Sequence, residues 1–342
     1  MKFISFVVPS YNAEKFLDHV LPSLLVGDDD VEVIVVNDGS KDNTLLIANK
    51  YKEQYPNIIN VIDKPNGGHG STINAALEVA SGIYFKCVDA DDWLDKDALL
   101  KLIEKIKYHY SINNLPDLYI TNFVYENISL NDQHVSSLAK YFPNDESVFG
   151  WDKVKVFKYG DYFMMHSMIY KLDILKECKL HLLEHTFYVD NIYVYEPLYY
   201  VKTLCYLNLD LYRYYVGRSD QSVSNKNLDK NYAHQFRVFE ETMLHFSLDD
   251  LKKLEKNHFK DMIRSFVTIF GLTQYHIMIG DKKKKLKEYK ALIKKFKEKN
   301  RDLYNYVTKR TAFFTYYYQP FFIKKLFVKI GYKIINKKTE WN

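Results

Sequence analysis

Over the first hundred residues, short β-branched runs alternate with segments of helical periodicity. FISFVV precedes a helical pattern over 13–25, VEVIVV one over 44–55, IINVI one over 71–80, and IYFKCV one over 96–108. The apolar runs are continuous, whereas a half-exposed strand would alternate, so helices are expected on both faces of each. Strand-helix-strand order of this kind predicts a parallel α/β sheet whose ligand-binding groups lie in the loops leaving the carboxyl ends of the strands. Those loops are Pro9-Ser10-Tyr11-Asn12, Asn37-Asp38-Gly39-Ser40, Lys64-Pro65-Asn66-Gly67-Gly68-His69-Gly70-Ser71 and Asp89-Ala90-Asp91-Asp92.

Beyond residue 117 the pattern loosens. DLYITNFVY reads as a further strand, 131–145 as a polar excursion, and 151–158 and 171–178 as helical pieces. Residues 225–310 read as helices with lysine-rich faces. The expected division is a sheet domain over 1–220 and a helical region over 221–342.

With 342 residues, 47% of them hydrophobic, the chain has the composition of a globular protein with a sizeable core, which excludes a disordered or fibrous class. Cys87, Cys178 and Cys205 are too few and too widely spaced for a disulfide framework or a zinc ribbon, so a reducing compartment is expected. No signal-peptide pattern opens the sequence, and no run of eighteen apolar residues predicts a membrane span.

The net charge of +5 conceals an asymmetry. Residues 281–342 hold 19 Lys and Arg against 5 Asp and Glu, a local +14 that leaves −9 on the remainder. Within that tail, FFIKKLFVKIGYKII places Lys325, Lys329 and Lys333 at helical spacing among Phe, Leu, Val and Ile, after Pro320 and a cluster of aromatic residues. Such a helix suits an anionic membrane surface, so residues 311–342 are expected to attach the protein to the inner face of the cell membrane. Docking on the protein's own core and homo-oligomer formation are the alternative uses of the helical region. No recognition motif accompanies the lysines, so nucleic acid is not an expected partner.

Asp89, Asp91 and Asp92 crowd three carboxylates at the mouth of a buried strand. Like charges at this density call for a cation, and oxygen ligands suit Mg²⁺ or Mn²⁺ carrying a diphosphate. Helix capping accounts for one of the carboxylates and leaves the cluster unexplained. Asp38, ending the second run, fits a base N–H or ribose hydroxyls as well as a simple Asp-Gly turn. Tyr11 is placed to stack on a base, and Gly67, Gly68 and Gly70 allow close backbone approach ahead of a helix N-terminus that favours phosphate. The spacing matches neither a P-loop nor a dinucleotide fingerprint.

Taken together, FVVPSYNAEKFLDHVLPSLL, EVIVVNDGSKDNT and NGGHGSTINAALEVASGIYFKCVDADDW resemble family 2 glycosyltransferases of the GT-A fold, and the likeness resumes at HTFYVDNIYVYEPL and LYRYYVGRSDQSVS. The resemblance implies a mostly parallel Rossmann-like sheet flanked by helices and followed by a helical C-terminal region. It also implies an inverting transfer of a sugar from a nucleoside diphosphate, usually UDP, to a saccharide, lipid-linked or polymer hydroxyl in bacterial cell-surface glycan synthesis. By position, Pro9, Tyr11 and Asp38 would hold the base and ribose, with Gly68, Asp89 and Ala90 completing the nucleotide site. Asp89 and Asp91 match the family's DXD element, whose second carboxylate meets the Mn²⁺ or Mg²⁺.

The family's catalytic base falls at Tyr188-Val189-Asp190-Asn191, where Val189 replaces the usual Glu. Asp190 is therefore the expected base, with Glu184 as fallback. His69, Asp92, Trp93, His166, Arg218 and Ser222 are candidates for contacts with the donor, diphosphate or acceptor, and Arg213 and Ser224 share the segment of the last two. A structural role remains open for His166, and core packing for Trp93. The QxxRW signature of processive synthases is absent, which favours addition of one or a few sugars. The altered base motif also leaves room for a non-catalytic nucleotide-sugar-binding or scaffold protein.

Overall fold

The continuous apolar runs become buried strands in the computed structural model, which describes residues 1–158, 161–217, 225–278 and 282–308. A first unit comprises Met1–Val156 and Phe163–Tyr215. Its opening part runs β1 (Ile4–Ser10), α1 (Leu17–Leu24), β2 (Val31–Asp38), α2 (Thr44–Gln54), β3 (Ile59–Lys64), α3 (His69–Val79), β4 (Tyr84–Cys87), β5 (Trp93–Leu94) and α4 (Lys96–Ser111). There follow β6 (Leu118–Asn127), β7 (Asp132–Ser136), β8 (Phe149–Gly150), β9 (Met168–Lys171), α5 (Leu172–Cys178), α6 (Asp190–Leu198) and β10 (Thr203–Tyr215).

The sheet order is β3-β2-β1-β4-β9-β6-β10-β5, with β7 on β6 and β8 on β10. Pairing is parallel across β3, β2, β1 and β4, as the alternating pattern requires. Beyond β4 the sheet is mixed, because β9 inserts antiparallel to both β4 and β6. Phe6, Val7, Val8 and Val33 to Val36 have no exposed surface, and α1 and α4 cover the sheet with Leu17, Val20, Leu21, Leu99, Leu102 and Ile106. Burying each such side chain contributes about 1.5–3 kcal/mol, which fixes the strands from which the functional loops emerge.

Two local expectations change. Residues 151–158 form one 3-10 turn, Trp151–Lys153, instead of a helix, because Trp151 is drawn into the core with its Nε1 donating to Val201 O at 2.7 Å. The polar excursion carries the edge strand β7, whose exposed side chains hide any alternation from a hydrophobicity reading. The α4 cap is Asp95, which accepts from Ala98 N at 3.0 Å, so Asp92 is left for another purpose.

A second unit joins Phe157–Tyr162 to the described residues from Val216 on. It holds α7 (Asn225–Lys230), α8 (Tyr232–His245), α9 (Leu248–Lys252), α10 (Lys256–Met278), α11 (Lys282–Lys299) and α12 (Arg301–Thr308). Phe239 packs on Phe266, Phe270 and Phe296 with ring centroids 5.1–5.7 Å apart, the contact that unites α8, α10 and α11. No described helix is long and apolar enough to cross a membrane. The basic segment 311–342 lies outside the described residues.

Asp261 in α10 is buried. One oxygen accepts from Phe157 N at 3.2 Å, the other has no hydrogen-bond partner among the described residues, and burial pushes its pKa up to about 7 against the pull of Arg264 and Lys260. The folded chain thus keeps a proton that the unfolded chain releases near pH 4. The stability this contributes is full below about pH 4 and is lost as pH rises through 7. Asp261→Asn is expected to exceed the native chain in stability at pH 8 by about 2 kcal/mol, half of what the full shift allows, and to lose that advantage by pH 4.5. Urea unfolding at the two pH values measures it; parallel behaviour of both proteins would refute the assignment.

Candidate active site

Four strand exits build the site. The loops after β1 and β2 are tied together, with Asn12 N donating to Ser40 Oγ at 3.0 Å, Lys41 N to Asn12 Oδ1 at 2.9 Å and Ala13 N to Thr44 Oγ1 at 2.7 Å. Tyr11 stands at this junction 53% exposed, its ring available for stacking, and Pro9 precedes it within β1.

Asp38 turns towards the glycine loop. Its carboxylate accepts from Lys64 Nζ (2.8 Å), Gly67 N (2.8 Å), Gly68 N (2.7 Å) and Asn66 Nδ2 (3.0 Å). The loop folds this way because Gly68, at φ +83°, supplies a backbone that other residues rarely adopt. The same loop holds the segment leading to Asp190: His185 N donates to Gly67 O at 2.5 Å, and Asn74 exchanges two hydrogen bonds with the Leu182 backbone. A Cβ on Gly70 would stand 2.6 Å from Leu183 O, so this contact exists only with glycine.

The Asp89–Asp92 turn is fastened from beneath by β10. Asp89 N donates to Tyr212 Oη at 3.2 Å, Tyr212 Oη donates to Asp92 at 2.6 Å, and Tyr215 N donates to Asp92 at 2.8 Å. Burial and the neighbouring charges of Asp91 and Asp89 raise the pKa of Asp92 well above the usual carboxylate range. Asp89 behaves oppositely: burial would raise it, but His69 Nε2 at 2.8 Å holds it below that range. The same pair raises His69 well above an ordinary histidine despite its burial.

Asp190 is the first residue of α6; the cap position belongs to Val189, and Asn191 Nδ2 donates to the Asp190 carboxylate at 3.4 Å. Burial raises the Asp190 pKa, His69 lowers it and Asp89 raises it. His69, Asp89 and Asp190 thus form one electrostatic group, in which His69 pairs with Asp89 and both act on Asp190. Tyr188, two residues earlier, is held at φ +67°, an outlier for an aromatic residue.

The structure thereby brings His69, Asp89, Ala90, Asp91, Asp92 and Asp190 together around the glycine loop. His166 joins them from below, buried against Tyr212 and Tyr214, with its pKa lowered by burial to about 4. Trp93 sits edge-on to His19 of α1, ring centroids 4.6 Å apart. Glu184 is exposed in the loop ahead of Asp190. Arg213 lies within β10, where its guanidinium pairs with Glu126 and Asp95 at 2.9 Å each. Arg218, Ser222 and Ser224 lie outside the described residues.

Sequence reasoning overlooked Lys86 and Tyr212. Lys86 lies fully buried in β4, donates to His166 O at 2.7 Å, and has its pKa lowered by burial to about 7. A lysine inside the apolar run IYFKCV was its signal. Tyr212 gave none, because a tyrosine in a tyrosine-rich segment does not announce a bond to a turn 120 residues earlier.

These residues can hold a nucleotide diphosphate, neutralise it, and present one carboxylate to an incoming hydroxyl. Comparison with known proteins finds similarity to named glycosyltransferases. The poly(ribitol-phosphate) beta-glucosyltransferase of Bacillus spizizenii is 38% identical over 120 residues, 34% of this chain and 18% of that protein. The poly(ribitol-phosphate) beta-N-acetylglucosaminyltransferase TarS of Staphylococcus aureus is 38% identical over 114 residues, 32% of this chain and 20% of its own length. The matches thus span about a fifth of these curated relatives. The crystal structure of S. aureus TarS 1-349 in complex with UDP-GlcNAc superposes with a TM-score of 0.64 over 89% of this chain and 83% of that one, at 21% identity, a likeness of fold. The model of the family "Glycosyl transferase family 2" matches residues 5–172, and these residues form a family 2 glycosyltransferase domain.

Proposed function

We propose that the chain catalyses inverting, metal-dependent transfer of a sugar from a nucleoside diphosphate, UDP by preference, to a hydroxyl of a saccharide, lipid-linked or polymer acceptor in cell-surface glycan synthesis. The observation that carries this reading is the single group formed by the Asp89–Asp92 turn, His69 and Asp190. In this reading Tyr11 and Pro9 receive the base, and the glycine loop and the α3 N-terminus face the diphosphate. Asp190 accepts the proton of the acceptor hydroxyl as its oxygen bonds to the anomeric carbon. The bond from that carbon to the diphosphate oxygen breaks, and the nucleoside diphosphate leaves with its electron pair.

The turn fits a divalent cation. Three carboxylates share four residues, and Asp92 is shifted upward by burial and by the charges of Asp91 and Asp89, the last two of which a cation would offset. Asp91 would be its principal ligand, with Asp89, nearest the ribose, and Asp92 as further oxygen donors; when bound, the ion would supply charge neutralisation for the departing diphosphate. His69 holds Asp89 in place and offsets negative charge between the two acidic sites.

The test is release of nucleoside diphosphate from UDP-, GDP- and dTDP-sugars in water, with Mn²⁺, Mg²⁺ or EDTA. Release from a UDP-sugar that EDTA abolishes, and that falls at least about tenfold in Asp91→Asn, is the expected result. No release from any donor, together with no UDP binding by calorimetry, would return the chain to a scaffold role.

A further inference from the structure

We propose that His166 supplies a nitrogen ligand to the divalent cation of the Asp89–Asp92 turn, so that the site is a mixed nitrogen and oxygen site. The proposal rests on the metal-dependent reading above and deepens it. His166 precedes β9 in the short 3-10 turn Met165–Ser167 and is 6% exposed. Its Nδ1 is buried and has no hydrogen-bond partner among the described residues. Buried polar side-chain atoms are with few exceptions bonded, so an orphaned imidazole nitrogen on a ring that faces two carboxylates calls for a ligand.

One His166 ring nitrogen and one oxygen each from Asp89 and Asp92 lie within 4.8 Å of one another. The ring is held for this placement: it stacks on Tyr214 with centroids 4.5 Å apart, meets Tyr212 edge-on at 4.7 Å, and its main-chain oxygen is fixed by Lys86 at 2.7 Å. The two carboxylates retain capacity. Asp89 engages His69 through Oδ1, and Asp92 receives Tyr212 and the Tyr215 amide, whereas a carboxylate offers about four lone-pair positions. A second cluster, His69, Cys87 and Asp89, is the weaker candidate because the His69 nitrogen that faces Asp89 is already in an ion pair at 2.8 Å.

An imidazole in the set disfavours Mg²⁺, which takes oxygen ligands, and favours Mn²⁺ and the later divalent ions. With UDP present, the full chain is therefore expected to bind Mn²⁺ at least about tenfold more tightly than Mg²⁺. Pulsed electron paramagnetic resonance of the chain with Mn²⁺ and UDP should show a ¹⁴N coupling that becomes ¹⁵N in protein grown on ring-¹⁵N histidine, a change the uracil nitrogens cannot produce. The coupling should survive in His69→Gln and vanish in His166→Gln, whose fold is checked by near-ultraviolet circular dichroism. Should His166→Gln fail to fold, the labelled native chain and His69→Gln still decide the matter. Mn²⁺ bound without a histidine coupling, or with one that disappears in His69→Gln, overturns this inference and leaves the metal reading standing. No Mn²⁺ binding in the presence of UDP overturns both.

Discussion

Asp190→Asn is expected to lower kcat for sugar transfer by about 10²–10⁴-fold, the contribution of a positioned general base, while UDP binds within about threefold of its native affinity. Asparagine has nearly the shape of aspartate and preserves the start of α6, but cannot accept the acceptor proton. The pH profile supplies an independent reading. Burial raises the Asp190 pKa, opposed by His69 and reinforced by Asp89, so the base becomes protonated at a higher pH than an ordinary carboxyl. Because only the ionised form takes the proton, kcat should fall as pH is lowered through that raised value. The residual activity of Asp190→Asn should lack this limb. Full transfer by Asp190→Asn would remove the residue from the mechanism and direct attention to Glu184, which is exposed in the same loop.

The neighbourhood of Asp190 shows where sequence reading succeeds and where it stops. The four parallel strands were legible because each is an apolar run closed by a polar loop, a pattern that follows in β1, β2 and β4 from burial on both faces, while the edge strand β3 is half-buried. The acidic turn was legible because three carboxylates in four residues need a reason. β10 was not: its tyrosines divide into buried Tyr206 and Tyr212 and half-buried Tyr214 and Tyr215 with no period of two, and its partner β6 lies about 85 residues away. Consequently the inward orientation of Asp92, decided by Tyr212 and the Tyr215 amide, had no local signature. The docking of 182–185 on the glycine loop was hidden for the same reason, since Gly70 looks identical whether it approaches a phosphate or the Leu183 carbonyl. Asp38 read equally well as a ribose ligand or a turn residue; its hydrogen bonds place it chiefly as the anchor of the adjacent loop.

That placement makes the next largest effect one of stability. Asp38→Ala is expected to destabilise the first unit by about 3–5 kcal/mol, the cost of removing one partner from a buried, hydrogen-bonded ion pair. The Asp38 carboxylate is only 3% exposed, and its removal leaves the Lys64 ammonium, itself 21% exposed, without its counter-charge. It also removes the acceptor to which the amides of Gly67 and Gly68 both donate. Lys64 retains Pro65 O and Ser71 Oγ, each at 2.8 Å, so the loop should loosen without abolishing the fold. Loosening should reach the base as well, because Gly67 O receives His185 N and Gly70 packs under Leu183. Asp38→Ala is therefore expected to lose UDP affinity and kcat together, whereas Asp190→Asn loses kcat alone. Chemical denaturation and UDP calorimetry on the two variants separate these patterns. A stability loss below about 1 kcal/mol in Asp38→Ala would show that contacts around Gly70 and Asn74, and not the Asp38 carboxylate, hold the donor loop in register.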